Sequence, residues 1–118
     1  MDQNESILLS IKHLLGPGAE DKHFDPDLIM HINSVFSILT QLGVGPSDGF
    51  SITGDSEAWS AFIGKEPKKF SFVKSYMHLK VKLLFDPPLG AAAIESIKEQ
   101  IKEFEWRLSV AVDLVSDN

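Results

Sequence analysis

Apolar positions recur every three or four residues along most of the chain, a spacing that gathers them on one side of a helix. Ile7, Leu8, Ile11, Leu14 and Leu15 form the first such stripe, with Asn4 placed to cap it and Gly16 to end it. A loop, GPGAEDKHF, follows. Leu28, Ile29, Ile32, Val35, Phe36, Leu39 and Leu42 form a longer stripe, opened by Asp25-Pro26-Asp27 and closed by Gly43. A capping carboxylate, a proline with preset φ and a second acid facing the helix dipole all favour a helix start there.

From 43 to 54 the pattern changes. The density of Gly and Pro in LGVGPSDGFSITGD forbids a helix, while Phe50 and Ile52 alternate with polar neighbours. The expectation is a protruding loop with room for a short β-hairpin. Asp55 then offers a cap for a short helix carrying Trp59, Phe62 and Ile63, stopped by Gly64. From Pro67 to Phe85 a long helix aligns Phe70, Val73, Met77, Val81 and Leu84, with Tyr76 and Leu83 alongside. Lys74, Lys80 and Lys82 point outward or snorkel along its flanks.

That helix must end at Asp86-Pro87-Pro88, because a proline disfavours helical geometry in the preceding residue and lacks an amide, and Gly90 lets the chain reverse. Beyond the break, Ile94, Ile97, Ile101, Phe104, Leu108, Ala111 and Val115 alternate steps of three and four, an a/d seam. Two long helices joined so tightly pack antiparallel. The expected fold is all-α, a small antiparallel bundle of about four to five helices over residues 1–118, with a loop at 43–54 and a loose tail at 114–118.

Length and composition bound what such a bundle can do. A chain of 118 residues, 43% apolar and 24% charged, supports one domain with one modest core. Little is left over for a deep enclosed active site. The net charge of −6 gives no general pull toward nucleic-acid phosphates or anionic lipid. The absence of cysteine removes disulfides, cysteine nucleophiles and thiolate metal sites. MDQNES lacks the features of a secretion signal, and Lys80 and Lys82 interrupt the greasiest stretch, so no membrane segment is expected.

Candidate chemistry is thin. Asp27 and His31 sit four apart on a helix and could share a metal with His23 or Asp25, but capping and dipole roles already account for both acids. No nucleophile elbow marks a hydrolase. The glycines of GVGPSDG lack the lysine and hydroxyl of a phosphate loop. Lys65, Lys68 and Lys69, near Phe70 and Phe72, could touch a nucleic-acid backbone, although a solvated helix start is the commoner meaning. Trp106 and Arg107 are residue types that anchor interfaces, although core packing explains Trp106 equally well. No cofactor and no enzymatic activity are expected. Two alternatives are a helical regulator that dimerises through its last heptads and, more remotely, a small metal protein using Asp27 and His31.

The blocks DPDLIMHINSVFSILTQLGVGPSDGFSI, W-x-x-F-I-G, VKSYMHLKVKLLFDPP and IKEFEWRL, in that order, resemble the small head-tail connector proteins of long-tailed bacteriophages and prophages. The resemblance spans roughly Ile7 to Asp113 and rests on packing and turn motifs in aggregate. It implies a helical bundle with an extended loop, assembled as a ring, usually dodecameric, beneath the portal protein in the virion neck. Such a ring extends the DNA channel, without sequence-specific binding, and carries the next neck or tail-completion protein. The chain would be made in the host bacterial cytoplasm. Val44, Phe50 and Ile52 of the loop would then serve ring or tail-side contacts. Trp106, Arg107, Val110 and Leu114 would face the portal.

Overall fold

A computed structural model describes residues 4–64 and 72–116, with side chains described as far as residue 112. Its helices are α1 (Ile7–Leu15), α2 (Asp25–Gln41), α3 (Trp59–Ile63), α4 (Val73–Phe85) and α5 (Ala91–Ser116). Short 3₁₀ turns at Pro17–Ala19 and Lys22–Phe24 join α1 to α2. The all-α bundle expected from the periodicity is therefore observed, and the described residues contain no strand. A single bridge between Ser6 and Ala58 is the sole extended pairing among them. There the Ile7 amide donates to the Glu57 carbonyl at 3.0 Å and the Trp59 amide donates to the Glu5 carbonyl at 3.1 Å.

Several helix ends differ from expectation in which residue does the work. Ser6, not Asn4, caps α1, accepting from the Leu9 amide at 3.2 Å. Asp25 is the first residue of α2 and makes no cap. Its carboxylate instead accepts from Lys12 Nζ at 2.7 Å, because α1 brings a buried lysine against it. Ala58 occupies the cap position of α3, so Asp55 plays no part there. Gly16 ends α1 and Gly43 closes α2 as the sequence suggests. At Gly43, φ is +85°, its amide donates to the Thr40 carbonyl, and the Val44 amide reaches back to Leu39. These are the two bonds of a Schellman ending, which needs the left-handed region that glycine adopts without strain.

Helix α4 is the hub. It packs against α1, α2 and α5, and Val73, Tyr76, Met77 and Val81 are buried along it. Leu84, assigned to the same line, is instead exposed, because the apolar stripe runs past the end of the core. The upstream part of the expected helix, from Pro67 with Phe70, and the lysine cluster Lys65, Lys68 and Lys69 lie outside the described residues. Leu28, Ile32, Val35, Phe36 and Leu39 of α2 and Ile7, Leu8 and Ile11 of α1 close the core from the other sides. Trp59 fills its centre, and its Nε1 donates to Ser10 Oγ at 2.8 Å.

Helix α5 folds back on α4 after Asp86, as the prolines require, but Gly90 makes the reversal without a positive φ. Phe72 and Phe104 meet with ring centroids 5.6 Å apart, and Tyr76 Oη donates to Glu105 Oε2 at 2.7 Å. With 26 residues, α5 is about 39 Å long and accounts for most of the 44 Å long axis of the molecule. Its helical backbone continues to Ser116, through the start of the expected tail, and 117–118 lie outside the described residues.

Candidate interaction surfaces

The 43–54 loop is tied down along its length. Asn33, in the middle of α2, accepts from the Ile52 amide at 2.8 Å and donates to the Ile52 carbonyl at 2.9 Å, imitating one rung of a β ladder with a side chain. Phe50 stacks edge-on to Phe36 and Phe62, at 4.9 and 5.4 Å between centroids. Gly45 passes so close to Phe62 that a Cβ there would press into its ring. Farther on, the Thr53 amide and hydroxyl both donate to Glu57 Oε2, at 2.7 and 3.0 Å. The bond from the Thr53 amide is the main reason that the Glu57 carboxyl lies below its ordinary range.

Of the loop residues expected at an interface, Val44 and Ile52 are thus core side chains of this chain and Phe50 is half-buried. The surface the loop offers is polar, with Ser47, Asp48, Ser51 and Thr53 exposed along it. Asp48 and Ser51 border an open depression of about 510 Å³ that is also lined by Ser37, Thr40, Gln41, Gly49 and Phe50. Periodicity could not reveal the tethering, because it depends on an amide side chain 19 residues away from Ile52. An asparagine inside a helix, far from either cap, was the available hint.

On α5 the heptad seam is spent inside the chain. Ile101 and Leu108 are buried, while Ile94, Ile97 and Phe104 are half-buried. A dimeric coiled coil through this seam would have to displace α4. Trp106 lies on the opposite face, 64% exposed, beside Glu99, Gln100, Lys102 and Glu103, which form a shallow groove of about 540 Å³. Arg107 sits 5.8 Å above the Phe72 ring, Val110 is half-buried, and the Leu114 side chain lies outside the described residues. Charges bordering the groove are paired within the helix: Lys102 with Glu99 at 3.8 Å, and Arg107 with Glu103 at 3.2 Å.

The turn between α4 and α5 carries a surface that the sequence analysis treated only as a bend. Leu89 is 104% exposed and Leu84 54%, and Pro87, Ala91, Ala92 and Ala93 are exposed around them. No charge interrupts Pro87 to Ile94. That charge-free run was the signal for this surface.

Two titrating groups bind the helices to one another. Burial pushes the Tyr76 phenol well above its ordinary range, and the neighbouring Glu105 carboxylate adds to the effect. Burial also lowers His78, helped by Lys82, against the opposing hydrogen bond to the Leu14 carbonyl. Among the described residues, no three His, Cys, Asp or Glu side chains converge to hold a metal, so Asp27 and His31 gain no further ligand. No described helix is long and apolar enough to cross a membrane.

Comparison with known proteins gives one result that covers nearly the whole bundle. The family model described as phage connector protein matches residues 7–114. No curated protein and no solved structure matches the chain. The chain belongs to the phage connector protein family, which makes it a structural component of the head-to-tail region of a phage particle.

Proposed function

We propose that the chain is a head-tail adaptor that assembles as a ring beneath the portal, prolongs the DNA channel, and gives the next neck or tail protein a platform. The family match over residues 7–114 carries this reading. A subunit of such a ring needs surfaces for its two neighbours and for the components above and below. A rigid bundle with a tethered loop at one place, a bare hairpin tip at another and an exposed tryptophan at a third is equipped for that division of labour. The loop meets the ring or tail side through Ser47 and Asp48, with Val44, Phe50 and Ile52 anchoring it from beneath. The last turns of α5, from Trp106 through Arg107, Val110 and Leu114, face a neighbouring virion component, the portal in the first instance.

The acidic balance of the chain suits a channel through which DNA slides, since an attractive lining would retain it. Mixing the purified chain with portal assemblies from the same genome and imaging the product by electron microscopy tests the proposal. Stacked rings are expected. Portal rings that remain bare at saturating chain would refute it.

A further inference from the structure

Helix α5 differs from the other helices in how little it needs them. From Ala91 to Leu108 it contains no Gly or Pro and is rich in Ala, Glu and Lys, which are strong helix formers. Glu95 with Lys98, Glu99 with Lys102 and Glu103 with Arg107 pair along its own surface at 3.8, 3.8 and 3.2 Å. Its 26 residues exceed the roughly 12–15 below which an isolated helix is marginal. Among its described side chains only Ile101 and Leu108 are buried, and the core around Trp59 is built by α1, α2 and α3. The helix can therefore leave the bundle already formed.

What holds α5 is α4, and the match is specific. The Phe72 ring meets Phe104 at 5.6 Å and lies 5.8 Å beneath the Arg107 guanidinium, and the buried Tyr76 phenol donates to Glu105 Oε2 at 2.7 Å. Away from α4, Val112 rests against Gly43. If α5 lifts off, the Tyr76 hydroxyl loses its acceptor and Phe72 loses its cover. The surface left on α4 is matched by the α5 of another copy, which brings the same Phe104, Glu105 and Arg107.

The connection between the two helices permits the transfer. Asp86 and Pro87 each precede a proline, which steers both toward extended backbone and bars a helix across the elbow. Asp86, Pro87, Leu89 and Gly90 are exposed, Leu89 completely, so the elbow can open while giving up little packing. Opened out, the stretch from Asp86 to Gly90 reaches about 17 Å, enough to lay α5 on an adjoining copy and no farther.

We infer that α5 is an exchangeable arm: in the ring, each chain lays its α5 on the α4 of the next chain instead of its own. This deepens the ring proposal above and rests on it. Exchange keeps the α4–α5 contacts and changes the elbow. Neighbours held side by side meet at high effective concentration, so pairing between chains loses little against pairing within one. Each chain gives its arm to one neighbour and receives an arm from the other, a heterologous contact that closes with the ring. Trp106 points away from α4 in either pairing and stays available to the portal.

The chain contains no cysteine, so introduced thiols are the sole targets of a thiol reagent. Phe72→Cys and Phe104→Cys place thiols at facing positions of α4 and α5. The double variant is treated with a short bifunctional thiol reagent, both free in solution and in rings on portal assemblies, and the products are sized on a denaturing gel. Free chains are expected to bridge internally and run as monomers. In rings the bridges are expected to pass to neighbours, giving a ladder of dimers, trimers and longer species. Rings whose chains bridge only internally would overturn the exchange and leave the ring reading standing. Absence of rings from the unmodified chain, with portal present, removes the reading on which the exchange rests. Should the double variant fail to fold, a mixture of the two single variants, each keeping one of the two rings, gives the same answer. Their mixed rings are expected to yield bridged heterodimers, while either variant alone yields none. No bridge in the mixture, or equal bridging by one variant alone, overturns the exchange.

Discussion

Trp59 and Trp106 carry the same side chain into opposite surroundings. The first is fully buried where α1, α2 and α3 converge, with its ring nitrogen bonded to Ser10. The second stands 64% exposed on a helix that buries Ile101 and Leu108. Helices α1 to α4 direct most of their large apolar side chains into one core, with Leu9, Leu14, Met30 and Leu84 left exposed, while α5 turns one stripe inward, leaves Trp106 on its other face and follows a turn in which Leu89 is bare. Stability is concentrated in the first region, and the surfaces available for assembly in the second.

The largest effect that would break this contrast comes from the two tryptophans. Trp59→Ala should cost about 3–5 kcal/mol in chemical denaturation, whereas Trp106→Ala should stay within about 0.5 kcal/mol. Comparable losses at both positions would mean that α5 is as integral to the core as its neighbours. Next comes the pair that ties α1 to α2: Asp25→Asn leaves Lys12, 3% exposed, with an uncompensated buried charge and should cost roughly 3 kcal/mol in the same measurement.

A smaller effect probes how α5 is held. Tyr76→Phe removes the hydrogen bond to Glu105 and should cost about 1 kcal/mol, with faster amide exchange in α5 than in α2. Equal acceleration in both helices would contradict the separation of the two regions. The smallest is a pH effect on the α1–α4 contact. Because folding depresses the His78 pKa below its ordinary 6.5, the unfolded chain takes up the proton first as pH falls. The stability contributed by neutral His78 is complete above about pH 6.5 and is lost as pH drops from there through the folded value. Denaturant midpoints at pH 7.5 and 5.5 should therefore differ more in the native chain than in His78→Gln.

Much of the architecture is legible along the chain because local rules dictate it. Gly43 after a periodic stripe specifies a Schellman end, and Asp86-Pro87-Pro88 can only stop α4. The outward position of Trp106 was also recoverable. It is two residues from Leu108 and five from Ile101, which places it across the helix from the seam. Long-range pairings were not recoverable, since nothing local to Asp25 reveals that Lys12 lies buried beside it, or to Asn33 that it holds Ile52. For the same reason Val44 and Ile52 looked like loop anchors for a partner when their own core already takes them. The hairpin tip went unrecognised because prolines and alanines read as a break in a pattern, and exposure becomes visible only once the core has been located.

The paired prolines behind Leu89 have a mechanical meaning. In a closed circle of identical parts, small angular errors at each joint accumulate around the circumference, and a compliant joint lets the circle gape or spiral. In the ring proposed above, a stiff elbow at Pro87 and Pro88 would keep the bend uniform from part to part, as hinge pins machined to one tolerance let a bracelet clasp.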